Sequence, residues 1–165
     1  MTLQTTVTAS IKATQTSVLD LGTPVAQLEK TLKLALADGS GNNQANKVFS
    51  DTRTLTASAS ENLDFAGTLI DALGVTLTFA TIKALLVVSR SYNTNSVIIG
   101  NAASAGWQGP FGALTHTIEI RPGGAALFVA PNTGWTVTAT TADQFKVLNG
   151  GAGSSVDYDI VVIGT

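Results

Sequence analysis

One histidine, one pair of alternating aspartates, one Asp/Ser/Asn loop and one glycine run are the features of this sequence whose types and spacing can do chemistry. His116 lies in Thr115-His116-Thr117-Ile118 with no Gly-x-Ser-x-Gly elbow beside it, and a single imidazole cannot build the usual His-rich metal set. It is read as structural, facing solvent or a subunit interface. Asp157 and Asp159 alternate on one face of the last apolar segment, about 7 Å apart by strand rise. A carboxylate pair can serve general acid and base catalysis, and a solvated strand face has the same spacing. Asp38, Ser40 and Asn42 occupy the first, third and fifth positions of a calcium-type loop, but Asn43 stands where that loop needs Gly and Phe49 where it needs a bidentate Glu. Gly150-Gly151-Ala152-Gly153 precedes a strand and lacks a Lys-Ser/Thr continuation, so these are read as hairpin glycines and not as a phosphate cradle. No catalytic, metal or cofactor-binding residue is assigned, and the chain is expected not to be an enzyme.

The large side chains carry more promise. Trp107 and Phe111 lie in the Gly-rich stretch Gly106-Trp107-Gln108-Gly109-Pro110-Phe111-Gly112, and Trp135 follows Pro131-Asn132-Thr133-Gly134. Aromatics in loops commonly anchor interfaces. The same loop can equally fold over one end of a sandwich and tuck its rings into the core. A flat sugar-binding platform is a third reading. Trp107, Phe111, Trp135 and His116 are the candidate interface residues.

Composition narrows the function classes. Charged residues make up 12% of the 165-residue chain, about half the usual share, so Thr, Ser, Asn, Gly and Ala must cover the surface. A formal net charge of -2 leaves no excess of cations to neutralise phosphates, which argues against nucleic-acid partners. The longest apolar runs, such as Ala84-Leu85-Leu86-Val87-Val88, are far shorter than the roughly 20 residues that span a bilayer, and no membrane partner is expected. Met1 to Thr6 lacks a basic region and an apolar region, so the product is expected to start in the cytoplasm. With no cysteine, neither disulfides nor Cys-based zinc sites are available.

The elements that must position these residues read as β throughout. Residues 1 to 17 are rich in Thr, Ser and Ala with widely spaced apolar residues, and predict an extended arm that becomes ordered on a partner. Residues 18 to 165 predict one domain. From Leu28 to Leu36 a helical face (Val25, Leu28, Leu32, Leu36) competes with strand alternation (Leu32, Leu34, Leu36). Strands are expected over Val48 to Thr56, Asn62 to Phe65, Ile82 to Arg90, Ser96 to Gly100, Thr115 to Ile120, Ala125 to Val129, Trp135 to Ala139, Gln144 to Leu148 and Val156 to Ile163. Ser96 to Gly100 is expected to partner the strand before it, and Ala125 to Val129 to fold back on Thr115 to Ile120 around Arg121-Pro122-Gly123-Gly124. The spacing predicts an all-β fold, an antiparallel jelly-roll-like sandwich or barrel with an N-terminal arm.

Several strings also carry a resemblance: Asp51-Thr52-Arg53-Thr54-Leu55, Leu77 to Leu85, Gly109-Pro110-Phe111-Gly112, Ile120-Arg121-Pro122-Gly123-Gly124, Gly134-Trp135 before Thr136-Val137-Thr138-Ala139, and the closing Tyr158-Asp159-Ile160-Val161-Val162-Ile163-Gly164. Over roughly residues 30 to 165 the chain resembles small virion structural proteins of tailed bacteriophages. The resemblance implies a jelly-roll-like capsid decoration, or cement, protein on the exterior of the virion. Its implied partners are a separate major capsid protein and copies of itself, a trimer before a dimer, and it implies no catalytic residues. A tail, fibre or head-tail module that contacts host glycans through Trp107 or Trp135 is the second reading.

Overall fold

A computed structural model describes residues 2–165, which form twelve strands and no helix. Val25–Asp38 resolves the ambiguity between helix and strand in favour of a strand, β2, because its partner β1 (Thr5–Thr16) supplies the matching alternation. The rest of the chain contributes β3 (Gln44–Ala45), β4 (Lys47–Leu55), β5 (Ser60–Asp64), β6 (Thr81–Ser89), β7 (Val97–Gly100), β8 (Thr117–Ile120), β9 (Ala125–Val129), β10 (Trp135–Thr136), β11 (Gln144–Asn149) and β12 (Val156–Gly164).

Two antiparallel sheets face each other in a sandwich. In the first, β6 pairs with β12 on one edge and with β9 and β10 on the other, and β4 closes the far side of β12. The second runs β5-β11-β7-β8. Both present alternate residues inward: Val156, Tyr158, Ile160 and Val162 of β12 meet Phe145 and Val147 of β11 and Val97 and Ile99 of β7 in one apolar core. Burying such side chains, each contributing about 1.5–3 kcal/mol, is the main stabilising term. At the end of β12 the backbone of Gly164 comes so close to β6 that a Cβ would stand 2.1 Å from the carbonyl oxygen of Thr81. Only glycine fits there, and the register shifts by one residue at that point.

Three expectations from the sequence are corrected. Ser96 to Gly100 does not partner the strand before it: β7 pairs with β11 and β8 in the opposite sheet. Ala125 to Val129 does not fold back on Thr115 to Ile120, because β9 crosses to β6. The Gly150 to Gly153 run joins β11 to β12 across the two sheets and is no hairpin turn. In all three the turn chemistry was sound, but a turn fixes where a chain reverses and not which sheet receives the next strand.

The N-terminal expectation is also corrected. Met1 lies outside the described residues, and residues 2 to 17 are not a single extended arm: Thr5–Thr16 is one half of a hairpin with Val25–Asp38, so the projecting element reaches residue 38. A tight reversal closes it, with Leu19 N donating to Gly22 O at 2.9 Å and Gly22 N to Leu19 O at 3.2 Å. Thr, Ser and Ala carry the alternation of residues 5 to 16 only weakly, which leaves this strand with little signal in the sequence.

Candidate interaction surface

The register of the hairpin sorts its side chains onto two unlike faces. Opposite residues in an antiparallel pair share a face. One face carries the pairs Val7 with Leu34, Ala9 with Leu32, Ile11 with Lys30 and Ala13 with Leu28. The other carries Thr8 with Lys33, Ser10 with Thr31, Lys12 with Glu29 and Thr14 with Gln27. Two of these polar pairs are in contact: Ser10 and Thr31 hydroxyls lie 3.0 Å apart, and Lys12 Nζ lies 2.9 Å from Glu29 Oε1.

At the base the apolar face is covered. Val7 and Leu36 are buried, Leu34 is half-buried, and they pack with Ala45 of β3 and with Ala84 and Ile163 on the outer face of the first sheet. Farther out, none of the described residues covers it. Ile11 is 68% exposed, Leu28 59% and Leu32 47%, and Val18, Leu19 and Leu21 stand open at the tip. Nine residues beyond Val7, at about 3.4 Å each, carry the ribbon about 30 Å from that base. A two-stranded ribbon is marginal alone in water, and an apolar face on one asks for a partner.

Beside the base lies an apolar groove of about 290 Å³. Leu86, Leu127, Val161 and Ile163 of the outer sheet face form its floor, and Thr6, Val7 and Thr8 of β1 form one wall. β1 is the edge strand of its sheet, so its backbone on the groove side is free to accept a further strand.

The candidate interface residues do not gather on one surface. Trp107 is 3% exposed and Phe111 6%, which makes both core residues and corrects the interface reading of each. Trp107 stands edge-on to Phe65 and Trp135, at ring centroid distances of 5.1 and 6.3 Å, and its Nε1 donates to Thr136 O at 3.0 Å. Gly109, at φ +43°, lets the loop double back so closely that the indole fills the space where a Cβ would sit. Phe111 stacks on Phe145 at 6.4 Å. Trp135 is half-buried against the same core. His116 alone is exposed, its ring over Gly112 in a shallow hollow with Pro110 and Thr117.

Asp157 and Asp159 do share the outer face of β12, where each is held by its neighbours. Asp157 accepts from Thr54 Oγ1 at 2.5 Å and Tyr92 Oη at 2.8 Å. Asp159 accepts from Thr52 Oγ1 and Arg90 Nη2, both at 2.7 Å. The Thr54 hydroxyl first, then that of Tyr92, holds the Asp157 carboxyl below the usual carboxylate range, the opposite of what a general acid at neutral pH requires. In the Asp38 loop, the carboxylate accepts from Leu3 N at 2.9 Å, and among the described residues no cluster of three or more acidic, His or Cys side chains is placed to hold a metal. The apolar hairpin face and the groove beside it were missed by the sequence reading; period-two alternation over residues 7 to 13 and 28 to 36 was the signal. In comparisons with known protein families and with curated proteins, the chain matches no family model and no curated protein.

Proposed function

We propose that this protein is a virion structural module of the capsid decoration, or cement, kind, which acts as a homo-oligomer on a shell built by a separate major capsid protein. The observation that carries the reading is the projecting ribbon with one apolar face uncovered beyond its base. Such a surface is suited to a protein partner and not to a small substrate. The resemblance over residues 30 to 165 supplies the setting. The order of the strands supports a jelly roll: β4, β5, β6, β7-β8, β9-β10, β11 and β12 alternate between the two sheets, as successive strands do in that architecture.

Stabilisation of a shell then follows from mass action. A protein that binds only the assembled shell shifts the equilibrium toward it, and many weak contacts add through high effective concentration. The test is the number of copies per virion relative to the major capsid protein, together with binding of the purified chain to expanded shells. A ratio near one, or a simple fraction such as one third, is expected. A handful of copies per particle, or shells that fail to bind the chain, would remove the reading.

A further inference from the structure

We infer that the ribbon's apolar face seats in the outer-sheet groove of a second copy of this chain, and that this exchange builds the homo-oligomer. The inference rests on the reading of the protein as a self-associating structural module. Each chain carries both halves of the contact. Ile11, Leu28 and Leu32 form an exposed apolar row that none of the described residues covers, and Leu86, Leu127 and Val161 form an apolar floor that the chain's own ribbon only partly covers.

The packing that would be repeated already exists inside one copy. Val7, Leu34 and Leu36 of this same face lie against Ala84, Leu127, Val161 and Ile163 of this same sheet. Shape and chemistry of ribbon on sheet are therefore demonstrated at the base. The distal residues do not cover their own groove: Val7 and Leu36 fix the base beside it, and Ile11, Leu28 and Leu32 farther along the ribbon stand exposed. A second copy has no such restraint, and its strand can also add to the free edge of β1 beside the groove.

Charge agrees with this occupant. The one charged side chain among the paired residues of the apolar face is Lys30, opposite Ile11. The sheet face that would receive it carries Asp157, hydrogen-bonded to the Thr54 and Tyr92 hydroxyls, and Asp159, paired with Arg90 at 2.7 Å, just beyond Val161 on β12; two carboxylates against one guanidinium leave this patch an excess of negative charge. Because ribbon and groove are different surfaces, the contact is head-to-tail and closes into a ring when the rotation allows, which suits a trimer.

The absence of cysteine makes the test direct. Ile11→Cys copies are mixed with Leu86→Cys copies in solution, without shells, under mild oxidation. A disulfide-linked dimer in the mixture, absent from either variant alone, is expected, and Lys30→Glu should weaken association at least tenfold. If Ile11→Cys crosslinks to itself and the mixture adds nothing, ribbons pack on ribbons and the inference falls. It falls also if the unmodified chain sediments as a monomer and no crosslink forms. Shell binding by the unmodified chain, measured in parallel, separates the two readings: shells that bind a monomeric chain keep the decoration role and remove the exchange, whereas crosslinked copies that ignore shells do the reverse.

Discussion

Arg53 and Glu61 join the two sheets at their shared edge. Arg53 on β4 donates from Nε at 2.8 Å and from Nη2 at 2.5 Å to Oε2 of Glu61 on β5, and the other oxygen of that carboxylate accepts from Tyr158 Oη at 2.8 Å. Arg53 also reaches Asp51 through Nη1 at 2.8 Å. One partly buried carboxylate therefore satisfies a cation from the first sheet and a phenol from the core. The hydrogen bonds it donates to Glu61 hold the Arg53 pKa above its already high ordinary value.

Removing the shared acceptor is expected to cost more than removing either donor. Glu61→Ala strands both the guanidinium and the Tyr158 hydroxyl, and should destabilise by about 3 kcal/mol, against about 1 kcal/mol for Tyr158→Phe. Urea unfolding of the two variants and of the double variant measures the coupling. A Glu61→Ala cost no greater than that of the exposed pair partner in Lys12→Ala, about 0.5 kcal/mol, would show that the clamp contributes nothing.

Tyr158 also sets an alkaline limit. Burial first, and the negative charge of Glu61 second, push its pKa above the ordinary 10.0. Above pH 10 the unfolded chain releases this proton while the folded chain keeps it, so the unfolded state binds fewer protons and stability falls as pH rises. The contribution is complete below pH 10 and is lost above it. In a Tyr92→Phe background, phenolate absorbance should rise only with unfolding. A phenolate signal near pH 10 from a chain that is still folded would sink this.

The strands were legible because two-sided burial leaves its mark in composition. Ile82 to Arg90 is apolar enough to read as a strand buried on both faces, and β6, which covers all of it but Arg90, pairs on both edges in the first sheet. Pairing was not legible. Turn residues such as Pro122-Gly123 are satisfied by any reversal, and Gly123 N donates to Ser89 O across the fold, a contact with no local signature. Trp107 was ambiguous for a related reason: a Gly-rich loop signals freedom of the backbone but not the direction in which the ring points.

Trp107 belongs to the core, and its removal should be felt there. Trp107→Ala is expected to cost about 3–5 kcal/mol, the usual range for deleting a buried aromatic. In a Trp135→Phe background, emission from Trp107 should be blue-shifted and resistant to a soluble quencher, and indifferent to added oligosaccharides. Ready quenching in the folded state would return Trp107 to the surface and revive a binding role.

The boundary between ribbon and body lies at Val7 and Leu36, and a truncation placed on either side of it should behave differently. Replacing residues 9 to 32 with Asn-Gly keeps Thr8 opposite Lys33 and leaves the buried base intact. Since the deleted residues contact little but one another, stability of the body should change by no more than about 0.5 kcal/mol, as for other exposed changes. Self-association and shell attachment should both be lost. Cutting instead at residue 38 removes Val7 and Leu36, uncovers Ala84 and Ile163, and should destabilise by at least about 2–5 kcal/mol, the usual cost of emptying one such site. Thermal unfolding and sedimentation of the two truncations, run side by side, decide the matter. If the shorter deletion unfolds, the distal ribbon belongs to the fold after all; if it folds and still associates, the apolar face does no docking and its exposure demands another explanation.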